Sequence, residues 1–332
     1  MPYQNGSATS TTDLLQQLVT FLAANGWTTD LSASEGLGWR AHLHKSANYV
    51  HLRAAENEAV WQSHFGSTAY SLAIYTGTSF NSGQPWNNQI TGAPIQSGGS
   101  APVGAAAYTS AGPFTNYYFM TDSAANNVVV VIEVTPGLFA YVGWGSSLVT
   151  AGTITGGAYF FGSANGFQAS DPTPGANVPG YSATAACPGT NADSLAGNNV
   201  CYVRADVDSF TGKWISIGPN TAGTTGYTGK AGASSVRAHS ITSTSPIPSY
   251  AQSDGPSEFQ FLQTSAQDGR ANLLPVYLWA LRDGTTTGFS MLGSLPTVFC
   301  TNGVGNGFSN ASEYSIGGQT YKMFPNFAVL KA

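Results

Sequence analysis

The sequence has 332 residues, of which only 8% are charged, against roughly 25% in ordinary soluble domains. Hydrophobic residues make up 42% and the net charge is −5 with 11 Lys and Arg. This composition excludes intrinsic disorder and also a cationic surface for nucleic acid or anionic membranes. Between residues 59 and 170 the formal charges are Asp122 and Glu133. Such a neutral polar surface favours an assembly component, whose surface is covered by other subunits.

No apolar run reaches the roughly 20 residues that a membrane-spanning helix needs. The N-terminus lacks the basic and apolar regions of a secretory signal, so we expect synthesis in a cytosol. Cys187 and Cys201 can form a disulfide if oxidised, whereas Cys300 lies in an apolar run and is expected to be buried. An odd number of cysteines without a signal favours reduced thiols.

The first predicted element is an amphipathic helix. Thr11 or Thr12 can cap its N-terminus, and Asp13 suits the positive end of the helix dipole. Gly26 predicts a left-handed stop after Asn25. The apolar side chains that recur at helical spacing, and that we expect to pack on a sheet, are Leu14, Leu15, Leu18, Phe21 and Leu22.

The segments after the helix alternate as strands do. Residues 49–53 and 70–75 predict single strands, and residues 116–144 predict a three-stranded meander with turns at 125–127 and at Pro136-Gly137. The middle strand of the meander is apolar on both faces. We therefore expect both faces to be covered, either by the chain itself or by a neighbour.

Two Pro- and Gly-rich breaks, residues 171–181 and 240–257, suggest the domain organisation. We predict an N-terminal helix plus β lobe at 1–170, and an inserted or appended small β module at 171–245. A C-terminal β lobe at 246–332 can complete the first. The fold class is mainly β with a packed N-terminal α-helix, in β-sandwich or barrel-like lobes.

Within the later part of the chain the patterns are shorter. Residues 201–208 and 213–217 predict a hairpin, and residues 270–283 a short helix or a strand pair. An apolar segment at 291–300 and a final strand near 320–330 follow.

The side chains that acid–base or metal chemistry needs are scarce. His42 and His44 would share one face of a strand, and His51 and His64 follow, but no Asp, Glu or Cys lies at ligand spacing beside them. Ordinary surface or core histidines are therefore favoured over a metal site. The best remaining acid–base group is His42 and His44 with Glu35.

A second carboxylate pair, Asp206 and Asp208, would share a strand face and could hold Ca²⁺, although a solvated face is favoured. Residues 303–307 are too short for a dinucleotide fingerprint, and residues 143–147 lack the spacing of a nucleophile elbow. Asn5 and Asn310 match glycosylation acceptors by chance. We predict no catalytic, cofactor-binding or metal-binding residue, and no enzyme.

Four aromatic side chains could instead stack on sugars, although packing in a core or an interface is favoured. They are Trp86, Trp144, Tyr159 and Trp214.

Several segments together resemble structural proteins of tailed-bacteriophage virions. The resemblance rests on LAANGWT at 22–28, AIYTG and FNSGQPWNNQ within 73–89, VVIEVTPGLFAYVGWG and TGGAY within 130–159, LGSLP at 292–296 and IGGQTYKMFP at 316–325. It covers about residues 11–168 and 270–327. These are turn and core patterns, so the resemblance implies a place in the virion and brings no catalytic residues with it.

From these observations we expect a non-enzymatic structural subunit of a tailed-phage virion, in the tail, baseplate or neck. Its partners would be further copies of itself, in a symmetric homo-oligomer, and neighbouring virion proteins, without nucleic acid, membrane or cofactor. It would be made in the host cytoplasm and end in the virion. The alternative is a glycan- or receptor-binding module of a tail fibre, and an enzyme such as a tail-borne hydrolase ranks third.

Overall fold

The computed structural model describes residues 1–58, 69–89, 92–93, 104–124, 126–146, 150–151, 154–165, 200–207, 210–217, 238–241, 274–281, 289–300, 311–324 and 327–331. These ranges contain one α-helix, α1 (Thr11–Ala24), and a short 3-10 helix (Trp86–Asn88). The strands of the first half are β1 (Tyr3–Ala8), β2 (Thr28–Glu35), β3 (Gly38–Lys45), β4 (Asn48–Glu58), β5 (Ala69–Gly77), β6 (Ala105–Thr109), β7 (Phe114–Thr121), β8 (Val128–Thr135), β9 (Leu138–Ser146), β10 (Thr150–Ala151), β11 (Ile154–Gly162) and β12 (Ala164–Asn165). Those of the second half are β13 (Val200–Val207), β14 (Phe210–Ile217), β15 (Ala238–Ile241), β16 (Leu274–Leu281), β17 (Phe289–Cys300), β18 (Glu313–Ile316), β19 (Gln319–Met323) and β20 (Phe327–Leu330).

The strands form two sheets. The larger one has 14 strands in the order β1-β7-β8-β9-β11-β13-β14-β15-β16-β17-β20-β19-β18, with β10 paired to β11. The smaller one has six strands in the order β12-β6-β5-β4-β3-β2. All neighbouring strands are antiparallel except β14 and β15. The prediction of a mainly β fold with an N-terminal helix is confirmed.

The N-terminal end of α1 differs by one residue from the predicted caps. Ser10 caps the helix, since its Oγ accepts a hydrogen bond of 3.2 Å from the backbone N–H of Asp13. Neither Thr11 nor Thr12 has this role. Thr11 is instead fully buried, with its hydroxyl 3.0 Å from that of Thr109.

The buried face of α1 is the predicted one, because Leu14, Leu15, Leu18, Phe21 and Leu22 are all buried. Gly26 ends the helix with a φ of 84°, a left-handed conformation that glycine adopts without strain. Beyond this end, Lys45 Nζ donates to the carbonyl of Asn25 at 3.1 Å. A β3 side chain therefore satisfies a backbone carbonyl at the helix terminus.

One core lies between the smaller sheet, the helix and one face of the larger sheet. Its members are buried side chains of α1, β3, β4 and β5 together with those of β7, β8 and β9 that point the same way. The buried side chains of β8 in this core are Val128, Val130, Ile132 and Val134. This arrangement is a sandwich of two sheets with the helix at one side.

A second core covers the opposite face of the meander. Val129 and Val131 of β8 pack in it with C-terminal side chains such as Val298, Phe327 and Val329. The expectation that β8 is covered on both faces is confirmed, and the chain itself supplies the cover. This observation removes one of the arguments for burial of that strand by other subunits.

The two isolated charges of the meander close its turns. Asp122 accepts hydrogen bonds from the backbone N–H groups of Asn126 and Asn127, at 2.7 and 3.2 Å. Glu133 accepts from the backbone N–H of Gly137 at 2.8 Å and from Asn116 Nδ2 at 2.6 Å. Each carboxylate thus accepts hydrogen bonds from backbone N–H groups of a turn. The predicted meander of β7, β8 and β9 is confirmed.

The ends of the larger sheet approach each other. Lys331, directly after β20, places its ammonium 4.3 Å from the ring centre of Tyr3 on β1. The same ammonium lies 2.7 Å from Glu313 on β18. These side-chain contacts bring the two edge strands of the larger sheet, β1 and β18, close to each other.

Some of the predictions for residues 201–330 are confirmed and others are wrong. The hairpin of β13 and β14 is confirmed, and β13 also pairs with β11 of the meander sheet. Within 270–283 the described residues, 274–281, form a single strand paired with β17, so that a helix there is wrong. The single strand predicted near 320–330 is in fact a hairpin of two antiparallel strands, β19 and β20. Both predicted domain boundaries, after residues 170 and 245, lie outside the described residues and stay predictions.

Candidate functional site

Most of the ionisable side chains of the smaller sheet lie on its outer face, which is the face turned away from α1. Strands β3 and β4 are joined by a two-residue turn whose Ser46 has a φ of 55°. The resulting register places His42 opposite His51 and Arg40 opposite Arg53. The neighbouring register places His51 opposite Tyr75.

At the centre of this face the two imidazoles are in direct contact. The Nδ1 atoms of His42 and His51 lie 2.8 Å apart, and both side chains are fully buried. One Nδ1–H therefore donates to the other Nδ1 as an acceptor. Among the described residues, neither Nε2 atom has a hydrogen-bond partner.

The environment holds both rings neutral. Burial, with the Arg40 guanidinium nearby, lowers the pKa of His42 to about 3. Burial, with His42 beside it, holds the pKa of His51 well below its usual value. Removal of an imidazolium from water is costly, and there is no carboxylate against these rings to compensate it within the described contacts.

Residues 78–89, which we name the covering segment, lie over the histidines. The ring of Phe80 lies 4.7 Å from that of His42, and the ring of Trp86 lies 5.1 Å from that of Tyr75. The Tyr75 hydroxyl donates to the carbonyl of Trp86. Arg40 Nη1 donates to the carbonyl of Gln84 at 3.1 Å. The covering segment is thus attached to the sheet through β3 and β5.

The buried side chain of Gln89 holds the covering segment in shape. Its Oε1 accepts from the backbone N–H of Asn81 at 2.8 Å. Its Nε2 donates to the carbonyls of Asn81 and Gln84, at 2.8 and 3.0 Å. A primary amide is the side chain that can both donate and accept in this way.

An ion-pair network borders the histidines on one side. Arg40 lies 2.9 Å from Glu35, and the buried Arg53 pairs with Glu58 and lies 3.8 Å from Glu35. Burial lowers the pKa of Arg53, whereas both carboxylates favour its charged form. Glu58 also accepts from the backbone N–H of Leu37 at 3.1 Å, so the network fixes the turn between β2 and β3.

The predicted grouping of Glu35 with the histidines is wrong, because Glu35 binds the arginines. The carboxylate partner of His44 is Asp30, at 2.9 Å, which the sequence argument missed. The register of β2 and β3 shifts between Thr29 and Leu31, so simple alternation along β2 does not place Asp30.

The four aromatic side chains considered for sugar stacking are buried: Trp86, Trp144, Tyr159 and Trp214. The preference for packing is confirmed for them.

A Cβ on Gly143 would lie 2.3 Å from Phe161, and one on Gly145 would lie 2.1 Å from Asn127, so these glycines serve close packing in β9. Cys201 is buried, and burial raises the pKa of its thiol.

Other predicted candidates fall on residues of which the structure gives no side-chain description. They are Cys187, His64, Asp206, Asp208, Cys300, residues 303–307 and Asn310. Asn5 lies within β1.

The described residues contain no group of three or more His, Cys, Asp or Glu side chains that could hold a metal ion. His42 and His51 alone would offer two nitrogen ligands. No helix in the described part of the chain is both long and apolar enough to span a bilayer. Comparison with protein-family models and with curated proteins finds no match to this chain.

Proposed function

We propose that this chain is a non-enzymatic structural subunit of a tailed-phage virion, acting in the tail, baseplate or neck. The observation that carries the proposal is the position, in turns and cores, of the segments that resemble phage structural proteins. Their most specific residues build turns and cores: Trp27, Trp86, Gln89, Trp144 and Phe324 are all buried. These buried positions are turn and core positions and carry no acid–base side chain, which supports a structural role.

The surface chemistry also supports assembly. The edge strand β2 exposes Thr28, Thr29, Ser32 and Ser34. Burying such hydroxyls against a partner costs less desolvation than burying charges. The proposed partners are therefore further copies of this chain and neighbouring virion proteins.

The tail-fibre alternative gains no support from the described aromatic residues. A sugar-stacking platform needs exposed rings. The four rings that could have formed one are buried among other side chains. We therefore prefer the structural subunit over a glycan-binding module.

The test is the location of the chain in phage particles. Particles are purified on a density gradient, heads and tails are separated, and the copy number in each fraction is measured by mass spectrometry. A replication enzyme of the same phage serves as the negative control. We expect a fixed number of copies in the tail or neck fraction. The proposal would be contradicted if the chain were recovered only in the particle-free lysate, together with the control enzyme. If antibody labelling of intact particles found the chain only at the tips of the fibres, the glycan-binding alternative would be favoured.

A further inference from the structure

We propose that the His42–His51 pair is an acid-sensitive latch on the covering segment, residues 78–89. Proton uptake by the pair releases this segment and exposes the outer face of the smaller sheet to solvent. The latch depends on contacts within one chain and is independent of the assembly role.

The position of each proton follows from the geometry. In the neutral pair one ring donates its Nδ1–H, so its lone pair is at Nε2, and the accepting ring carries its proton at Nε2. A first added proton binds the Nε2 lone pair of the donating ring. A second binds Nδ1 of the accepting ring. Two N–H groups would then face each other across 2.8 Å, and the contact between His42 and His51 breaks.

Among the described residues, no side chain other than the partner imidazole is placed to stabilise the added charge. The covering segment has the sequence TSFNSGQPWNNQ, without an ionisable side chain. The carboxylates of Glu35 and Glu58 are engaged with arginines, and that of Asp30 is engaged with the imidazole of His44. The ionisable groups on the surrounding strands are Asp30 and Glu35 on β2, Arg40, His44 and Lys45 on β3, Tyr49, Arg53, Glu56 and Glu58 on β4, and Tyr70 and Tyr75 on β5. An imidazolium here therefore gains more from water than from the protein.

Lifting the covering segment is the smallest movement that hydrates the rings. The ring of Phe80 lies directly on His42, so displacement of Phe80 opens this side of the pair. Apart from the short helix, the segment is not part of a strand or helix. Local openings begin in such segments, since fewer backbone hydrogen bonds break than in global unfolding.

The sign of the pH dependence follows from the lowered pKa values. Above about pH 6.5, the ordinary value for histidine, both the closed and the open form are neutral, and pH has no effect on the latch. Below it the open form takes up protons while the closed form does not. The equilibrium constant for opening then rises about tenfold per pH unit for each proton bound.

Hydrogen–deuterium exchange of the full chain, read by mass spectrometry between pH 7.5 and 4.5, tests the latch. After correction for the intrinsic rate, we expect exchange in residues 78–89 to rise between pH 6.5 and 4.5 by about fiftyfold if opening is linked to one proton, and by about the square of that factor if both imidazoles take one up. Strands β7, β8 and β9 should keep their protection. A pH-independent segment, or simultaneous opening of these strands, would overturn the proposal.

Two variants separate the pair from other histidines. The double variant His42→Leu and His51→Leu should abolish the rise, whereas His44→Gln, which removes the half-buried imidazole that contacts Asp30, should preserve it. A rise that survives in the double variant contradicts the latch. If the double variant does not fold, NMR titration of the wild-type imidazoles decides. Chemical shifts that show His42 and His51 remaining neutral while the covering segment is closed support the latch. Titration of these imidazoles near pH 6.5 while the segment stays closed contradicts it.

Discussion

The indole ring of Trp27 meets that of Trp144 edge-on, with ring centres 5.9 Å apart and planes at 81°. Trp27 follows the glycine that ends α1, and Trp144 lies in β9. Edge-to-face pairs of this kind contribute beyond the area that they bury. The contact therefore links the end of the helix to the meander of the larger sheet.

Trp27→Ala should lower the free energy of unfolding by about 3 to 5 kcal/mol, because it opens a cavity against Trp144. The matched control is Trp39→Ala, since Trp39 is only half-buried and its Nε1 donates to Ser32. Urea denaturation of both variants measures the difference. Equal losses would mean that the Trp27–Trp144 contact has no special weight.

Leu18→Asp should destabilise the protein by several kcal/mol, since it puts an unpaired charge in the first core. Leu37→Asp is the same substitution at a side chain that is 69% exposed. It should change stability by no more than about 0.5 kcal/mol. Thermal melting of the two variants compares them, and unchanged melting of Leu18→Asp would show that the packing of α1 is assigned wrongly.

Gln89→Glu should loosen the covering segment. The carboxylate keeps the bond from the Asn81 N–H but loses the donor that serves the carbonyls of Asn81 and Gln84. Buried groups left without partners cost about 1 to 3 kcal/mol. Hydrogen exchange of residues 78–89 at neutral pH should accelerate accordingly.

The control for this change is Asn88→Asp, one residue earlier and only half-buried. The side-chain amide of Asn88 donates a hydrogen bond to Gln84 Oε1 at 2.6 Å, and its backbone bond to Pro85 is unaffected by the substitution. We expect a clearly smaller acceleration there. Comparable acceleration in both variants would argue against a special role for Gln89.

Glu58→Gln should cost about 3 kcal/mol, because it removes the main counter-ion of the buried Arg53. Glu35, at 3.8 Å, compensates only part of that loss. Glu313→Gln removes a half-exposed partner of Lys331 and should cost at most about 1 kcal/mol. Urea denaturation at low and high salt distinguishes the two, since salt screens the exposed pair more strongly.

The parts of the fold that depend on local pattern could be predicted from the sequence. The buried face of α1 follows from helical spacing, and the meander follows from alternation and its turn residues. The strand β8 was also correctly expected to be covered on both faces. The identity of its cover was not, because contacts between Val131 and residues near 298 or 329 depend on the whole topology.

The candidate site was harder to predict for a related reason. The pairing of His42 with His51 requires the register of the hairpin between β3 and β4. Its turn is Ser46-Ala47, without the glycine or asparagine that marks two-residue turns, and Ser46 adopts a positive φ all the same. The signal that could have revealed the pair is the alternation of residues 39–45 and 48–54 about that turn.

The cover supplied to β8 by the C-terminal strands has a consequence for synthesis on the ribosome. Val129, Val131 and Tyr141 are synthesised roughly 190 residues before the strand β20 that helps to bury them. At about 5 to 20 residues per second, their apolar face waits for on the order of ten to forty seconds. During that interval the apolar face of the meander is exposed to solvent and can bind other apolar surfaces. The yield of folded protein in a cell should therefore depend on chaperones that bind this face before residues 289–330 are synthesised.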